Sequence, residues 1–512
     1  MKLSECSRKY NILIIGVCLL YCCTNSVQPD KQLGPLSVSP DGRNLLTSDG
    51  KHFPWLGDTA WSIFDQSRRE DTANDRSILR YFETRARQGF TVIQTHFLTN
   101  KVRGEIDEPN AYGHDPFVDG DFTRPLIVDG PDNDYWDYAD YLIEQTADHG
   151  MYMAIVAAWS NSFHTDEHPF VRDPNVAYGY GYFVGNRYRM HNHIIWLLGG
   201  DPSKSDYRRA DNPLRLAMTR ALAEGIADGV AGSKDFDGNA DYESVFMSYH
   251  PGGGGWSSAE HLHAEEWLDF NMIQTTSHYH FTNYQTVEDD YLRIPAKPTL
   301  ESEVAYEYSR SLSRKEKLKE PDRRVEACDV RRGAYWSMLA GGFGFTYGHR
   351  NLIGWVRAGE PELKWGADRP WFESLDAQGA TQMKYLRRLF ESRAPLLRIP
   401  DQTLIVGDAG KEMNRIQAGR ARDGSYVIVY STNGRKLTLD LAKLSGEKLQ
   451  AWWFNPRDGL VYDEHNRETN KPFAILANTD DQEFTPPSSG NRTDWLLVLD
   501  DAAKGYSLPG QH

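Results

Sequence analysis

Asp201 and Glu303 are the acidic residues whose positions in the sequence suit catalysis best. Asp201 directly follows His193–Gly200, an almost unbroken apolar run that is typical of a strand buried on both faces. Glu303 ends another predicted strand, Pro298–Glu303. Two carboxylates that flank one bond can hydrolyse a glycoside. From its own segment, an interpretation of Asp201 as a helix cap followed by Pro202 is equally favoured.

Polar and aromatic residues also end the other predicted strands. If these strands are parallel, their carboxyl ends meet on one face, where barrel enzymes carry their active sites. Any one such residue is more often a solvated acid or a hydrogen-bonded core histidine than a ligand contact. Their recurrence at strand ends favours a binding face, and the residues expected there besides the two acids are Asp58, Trp61, His96, Trp159, His250, His278 and His349.

Glu301 competes with Glu303, because strand alternation turns residues two apart to the same side and both could face inward. We choose Glu303, since it lies nearer the mouth, whereas Glu301 would need a partner in the core. The runs that precede Asp201 and Glu303 are the fourth and seventh predicted strands, which lie opposite each other in an eight-stranded barrel. One acid would protonate the leaving oxygen and the other would attack the anomeric carbon. Trp61 and Trp159 would supply platforms for sugar rings.

The elements that must position these residues alternate between strand and helix. The rhythm predicts an α/β protein with a (β/α)₈ TIM barrel. A doubly wound open sheet is the competing fold, but no glycine fingerprint follows the first strand. The predicted strands are Phe53–Trp61, Thr91–Phe97, Tyr152–Trp159, His193–Gly200, Val245–Tyr249, Asn271–Tyr279, Pro298–Glu303 and Gly344–Tyr347.

The rhythm changes after the predicted helix Gln382–Arg393. Short apolar segments, the first of them Thr403–Val406, then alternate with turn sequences such as Asp423-Gly424 and Asn433-Gly434. This pattern predicts a small antiparallel β-sandwich as an accessory domain. We therefore expect a barrel with an N-terminal hairpin over residues 24–397 and the sandwich over residues 398–512.

The first 23 residues indicate export. Arg8 and Lys9 precede the short apolar stretch Ile12–Tyr21, and Cys22 or Cys23 could carry a lipid. Residues 1–23 are thus expected to be a signal peptide of lipoprotein type, placing the protein in the periplasm or at the outer membrane or surface of a bacterium. Membrane contact is expected only through that anchor. The net charge of −15 argues against nucleic acid as a partner.

Four motifs resemble those of the apiosidase-like family, glycoside hydrolase family 140. They are Trp55-Leu56-Gly57-Asp58-Thr59-Ala60-Trp61, Gln88-Gly89-Phe90-Thr91-Val92-Ile93-Gln94, Trp196-Leu197-Leu198-Gly199-Gly200-Asp201 and Glu303-Val304-Ala305-Tyr306-Glu307. The C-terminal part, with Trp452-Trp453-Phe454-Asn455-Pro456-Arg457-Asp458-Gly459, is similar to the β domain that follows such barrels and is named for collagen binding.

The resemblance implies a retaining glycosidase with Asp201 as acid/base and Glu303 as nucleophile. It also implies a pectic polysaccharide or oligosaccharide substrate with apiosyl linkages, as in rhamnogalacturonan II, and Tyr306 as a further substrate contact. Around Glu303 this chain departs from the family pattern at Ser302 and Val304, and His278 lies in a divergent motif. No metal or cofactor is expected. The alternative is a surface-anchored carbohydrate- or collagen-binding protein with an inactive barrel.

Overall fold

The computed structural model describes residues 33–98, 109–159, 173–200, 213–275, 281–311, 319–359, 366–479 and 481–511. A two-stranded hairpin comes first, followed by a sheet of nine strands. Eight of the nine are parallel, in the order β7-β6-β5-β4-β3-β11-β10-β9, and β8 pairs antiparallel at the edge of β9. The strands are β1 Ser37–Val38, β2 Leu45–Leu46, β3 Trp55–Thr59, β4 Val92–His96, β5 Tyr152–Val156, β6 Ile194–Gly199, β7 Met247–His250, β8 Trp256–Ser257, β9 Asn271–Gln274, β10 Thr299–Glu303 and β11 Gly344–Tyr347.

The sheet is curled, so that its two faces meet different surroundings. On the inner face, side chains from different strands pack against one another in a core that includes Val92, Ala154 and Leu300. Residues next to these along the strands, such as Ile93, face the helices. A parallel bridge from Ser248 to Phe270 links β7 with the start of β9 and so joins the two ends of the eight-strand row at one point. All eight predicted strands are present.

Helices follow most of the parallel strands and cover the outer face of the sheet. Their N-terminal caps are side chains that the sequence supplies at the right place: Asp134 accepts from the amide of Asp137, and Asp173 from that of Asn175. No helix in the described residues is long and apolar enough to cross a membrane. The helices are α1 Ile63–Gln66, α2 Ile78–Arg87, α3 Tyr135–Asp148, α4 Pro174–Arg187, α5 Pro213–Ala231, α6 Ala259–Leu262, α7 Tyr284–Tyr291, α8 Ala327–Leu339, α9 Arg350–Ile353 and α10 Gln378–Glu391.

The C-terminal part is an antiparallel sheet of seven strands, and a two-stranded sheet of β15 and β19 covers one of its faces. The predicted strand Thr403–Val406 is wrong, because Gln402–Leu404 forms a 3₁₀ turn and Ile405 makes only a single bridge. The strands are β12 Arg398–Pro400, β13 Ile416–Ala421, β14 Tyr426–Ser431, β15 Leu437–Leu439, β16 Lys448–Asn455, β17 Leu460–Tyr462, β18 Ala474–Ala477, β19 Gln482–Phe484 and β20 Trp495–Asp501.

The other face of this sheet packs on α8 and α10. Tyr335 stacks on Tyr430 with ring centroids 5.0 Å apart. Arg331 makes a two-pronged ion pair with Asp494, at 2.8 and 2.7 Å, and both side chains are almost fully buried. Arg393 pairs with Asp500 in the same way. The antiparallel sheet and the helices therefore share one continuous packed interface.

Candidate active site

An irregularity in β10 determines where Glu303 points. Glu301 pairs with Ile273 of β9, but Glu303 pairs with the next residue, Gln274, so that Ser302 is an extra residue in the ladder. Such a bulge breaks the alternation of side chains. In a regular strand, Leu300 inside the sheet would put Glu303 outside. The bulge instead aligns Glu303 with the inward residue Gln274.

Glu301 does not face inward, which corrects the expectation from alternation. Its carboxylate lies on the helix side, 3.1 Å from the Thr275 hydroxyl and 3.0 Å from the Asn283 amide. Complete burial raises its pKa to about 8, although these hydrogen bonds act in the opposite direction. Glu301 is therefore a buried group behind the sheet, and Glu303 is the acid on its inner side.

Four rings form an aromatic cluster at the ends of β3, β4, β5 and β7: Trp61, His96, Trp159 and His250. Trp61 stacks on His96 with an interplanar angle of 4° and a centroid distance of 5.8 Å. Trp159 meets Trp61 edge-on at 4.8 Å and lies 5.4 Å from His250. Trp159 is the one partly exposed ring of the four. The structure thus brings together four residues that the sequence predicted for one face.

Glu303 lies against this aromatic cluster. One of its oxygens, Oε2, is 3.3 Å from Nε2 of the fully buried His250, which is an ion-pair distance when the imidazole is protonated. The Trp61 indole donates to the Tyr306 hydroxyl at 2.8 Å. The Glu303 side chain is 14% exposed, so it retains a path to solvent. The carboxylate, the imidazole and the indole thus line one small polar and aromatic space.

Arg350 adds a positive charge beside Glu303. Its guanidinium lies 5.5 Å from the centre of the Tyr306 ring, and its Nε donates to Ser309 at 3.0 Å. Burial lowers the pKa of Arg350, while the neighbouring Tyr306 and Glu303 act in the opposite direction. The Arg350 cation and the Glu303 carboxylate therefore attract each other.

His96 is a neutral member of the site. Complete burial lowers its pKa to about 3, and the nearby His250 contributes in the same direction. At neutral pH the imidazole therefore carries no charge. A neutral imidazole can still form hydrogen bonds, but it is not an ionic partner for a carboxylate.

Asp58 does not belong to this group, which corrects its expected place on the binding face. It is fully buried on the helix side of β3, where its carboxylate accepts from the Tyr81 hydroxyl at 2.6 Å and from Arg85 Nε at 2.7 Å. The physical reason is again alternation, because Gly57 and Thr59 take the inner positions and Asp58 the outer one. Asp58 fixes α2 to the sheet.

His349 lies beside the site but is turned to another neighbour. Its ring stacks on Tyr308 at 5.7 Å, and its Nδ1 accepts from the Asn351 amide at the start of α9. Burial lowers its pKa to about 3, with Arg85 the next contributor in the same direction. This residue caps a helix, and the structure gives it no ring contact with the aromatic cluster.

Asp201 and His278 lie outside the described residues, as do residues 1–32 with the expected signal peptide. Gly200, directly before Asp201, is within the described residues. Gly200 donates to the His250 carbonyl at 2.9 Å, and a Cβ at Gly200 would lie 2.6 Å from the Trp159 ring. The end of β6 at Gly200 therefore reaches the same aromatic cluster as Glu303.

Sequence reasoning missed Gln94 and Arg350. The fully buried Gln94 donates through Nε2 to the carbonyl of Ser302 at 3.0 Å. Its position two residues before His96 in a strand would have placed it on the same inner face. For Arg350 the sequence carries no comparable signal, because its place depends on the turn that follows β11.

One close group of acidic and thiol side chains in the described part of the chain is Glu326, Cys328 and Asp329. Glu326 and Asp329 form a reciprocal capping box at the start of α8. Asp329 also pairs with Arg323 and Arg332. Burial raises the pKa of the Cys328 thiol to about 11. These groups are occupied in structural contacts, and a protonated thiol is a poor metal ligand.

Comparisons with known proteins agree with this geometry. Residues 39–396 match the family model described as the apiosidase-like catalytic domain, and residues 399–500 match one named for the collagen-binding domain of a collagenase. A solved structure titled "Glycoside hydrolase" is 29% identical with a TM-score of 0.77, over 92% of this chain and 98% of that one.

A second solved structure, a glycoside hydrolase family 5 from Bacteroides vulgatus ATCC 8482, is also 29% identical with a TM-score of 0.77, over 93% of this chain and 96% of that one. The search of curated protein sequences found no match. The family model covers more than half of the chain and includes every site residue described above. The chain belongs to the apiosidase-like family of glycoside hydrolases.

Proposed function

We propose that this protein is a retaining glycosidase that cleaves apiosyl linkages in the side chains of pectic polysaccharide. Glu303 is the nucleophile and Asp201 the acid/base, and the curled sheet closes into a (β/α)₈ barrel around them. The observation that carries the proposal is the bulge at Ser302, which turns Glu303 inward against His250 and the aromatic cluster. Bulges are common next to active sites, where they change the direction of a functional side chain.

The reaction takes two displacements. Glu303 attacks the anomeric carbon, and the leaving oxygen takes a proton from Asp201. Water, deprotonated by Asp201, then attacks the anomeric carbon and releases Glu303. The positive charge of Arg350 would attract the Glu303 carboxylate, and His250 Nε2 lies 3.3 Å from its Oε2. A retaining pair requires roughly 5–5.5 Å between the carboxylates, against roughly 6.5–9.5 Å for an inverting pair.

Glu301 and Glu303 provide a matched test, because the same substitution is made two residues apart on opposite sides of one strand. We expect Glu303→Gln to abolish turnover of pectic apiosyl oligosaccharides, since an amide cannot act as the nucleophile. Glu301→Gln should keep most activity. Equal activity loss in both variants, or full activity in Glu303→Gln, would refute the assignment.

Asp201→Asn tests the second acid. It should retain slow turnover of aryl glycosides whose leaving group needs no proton. Added azide should accelerate it and give a glycosyl azide of retained configuration. An azide product of inverted configuration from this variant would exchange the two roles.

A further inference from the structure

A large cavity lies between the start of α8 and two loops of the C-terminal sheet. We call it the junction groove. Its volume is about 860 Å³, within the range of roughly 300–1,000 Å³ that is usual for ligand sites. Residues between Glu320 and Arg332 form one wall, and the loops 432–436 and 485–492 form the other. It therefore offers room for several linked sugar units.

The loop wall is held in a fixed shape. Gly434 adopts a φ of +65°, and a Cβ there would lie 2.1 Å from the carbonyl oxygen of Ser488, so the two loops touch at their backbones. The amide of Gly490 donates to Asn433 at 3.0 Å, and the buried Trp495 donates to the Ser488 hydroxyl at 3.1 Å. A preformed wall reduces the entropy lost when a ligand binds.

The groove is basic in an acidic protein. Five of its lining residues are basic and two are acidic, whereas the whole chain carries a net charge of −15. Most of the other lining residues carry hydroxyl or amide groups, which suit sugar hydroxyls. The basic residues are Arg323, Arg332, Arg435, Lys436 and Arg492.

Two of these cations, Lys436 and Arg492, make exposed ion pairs that a ligand could replace. The side chains of Lys436 and Arg492 are 64% and 53% exposed. Their ion pairs, with Glu483 at 3.1 Å and Glu326 at 2.8 Å, are exposed on both sides. Such pairs contribute only about 0–1 kcal/mol, so a carboxylate of a ligand can take the place of either acid.

The groove borders a second, smaller cavity on the helix side of β10. Asp329 and Arg332 line both the groove and this cavity. Val304 and Ala305, which directly follow Glu303, line that second cavity. The groove thus lies behind the strand that carries Glu303, on the same side of the sheet as Glu301.

We propose that the junction groove binds an acidic oligosaccharide, a uronate-rich segment of the polymer whose carboxylates contact Lys436 and Arg492. This inference rests on the proposed function, since it takes the ligand to be part of the same polysaccharide. The segment bound in the groove would hold the polymer on the protein while another part of the polymer enters the site at Glu303.

The test is calorimetric titration of oligogalacturonate into Glu303→Gln protein, which prevents turnover. We expect Lys436→Gln/Arg492→Gln to weaken binding at least tenfold. Lys51→Gln/Lys504→Gln, an equal charge change at exposed lysines elsewhere, should leave it unchanged. A neutral galactan oligomer should bind weakly to all variants. Equal affinity in both double variants, or an equal loss of dextran sulfate binding with Lys436→Gln/Arg492→Gln, would overturn the proposal.

The two proposals fail in different ways. In otherwise wild-type protein, the groove variant should raise KM for the acidic polymer and leave kcat and KM for a small aryl glycoside unchanged. Full turnover by Glu303→Gln would refute the proposed function, while groove binding could still be measured. An inactive Glu303→Gln variant that binds no oligogalacturonate would refute the groove inference alone.

Discussion

The side-chain amide of Gln94 donates to the main-chain carbonyl of Ser302 at 3.0 Å, from β4 to β10. These strands are separated by β3 and β11 in the sheet order, so the bond crosses the inside of the curled sheet. Ser302 is the extra residue of the bulge, and its hydroxyl donates to Ile273 at 2.8 Å. Gln94 thus holds the backbone that aims Glu303.

Gln94→Leu should therefore lower kcat by about 10², because a nucleophile displaced by about 1 Å loses its alignment, while KM changes little. Steady-state kinetics and urea unfolding measure the two effects. Gln88→Leu is the control, since Gln88 is also buried and donates to the Leu375 carbonyl at 3.0 Å, but it lies directly after α2, on the helix side of the sheet. The same kcat loss in both variants would show that Gln94 matters only for stability.

Trp159→Ala should raise KM with little change in the free energy of unfolding. Trp159 is partly exposed beside Trp61, the position of a platform for a sugar ring. The loss of its face should cost roughly 1–1.5 kcal/mol of binding, about tenfold in KM. Kinetics on a defined oligosaccharide test this, and an unchanged KM would exclude Trp159 from the substrate site.

Glu301 should make stability fall as pH rises. Its pKa is about 8 in the folded protein and near 4.5 when unfolded, so between these values only the folded state holds the proton. The free energy of unfolding then decreases with pH across this window, by on the order of a few kcal/mol. Glu301→Gln cannot ionise and should lose this slope. Urea unfolding at about pH 5.5 and about pH 7.5 compares the two proteins, and equal slopes would contradict the prediction.

Asp494→Asn should destabilise the protein by roughly 3–5 kcal/mol, because it leaves the buried Arg331 without its counter-charge. Asp423→Asn is the control, since Asp423 makes an exposed pair with Lys504. Thermal unfolding measures both variants.

Removal of residues from 398 onward should likewise lower stability, because it exposes the apolar faces of α8 and α10, and should leave the residues around Glu303 in place.

The mature N-terminus should begin at Cys22 or Cys23 and carry a lipid. Arg8, Lys9 and the apolar Ile12–Tyr21 are the basis for this prediction. Mass spectrometry of the protein from a membrane fraction tests it. An intact Met1 on cytosolic protein would rule out export.

Much of the fold could be predicted, because buried parallel strands are nearly continuous apolar runs such as Ile194–Gly199. Members of the site at strand ends, such as Trp61 and His250, followed from that pattern. Asp58 and Glu301 were misplaced for a different reason. Their orientation depends on one alternation step in β3 and on one extra residue in β10, and apolar runs carry no information about either.

The paired arginines at the interface have a consequence for how the two parts of the chain can be exchanged between relatives. Arg331 lies in α8 and Arg393 directly after α10, while Asp494 directly precedes β20 and Asp500 lies in it. A chimera with the C-terminal sheet of a relative would need an acid at both places, one directly before β20 and one near its end. A C-terminal sheet that lacks either acid would leave a buried arginine without its counter-charge, so these two pairs restrict which relatives can exchange this part of the chain.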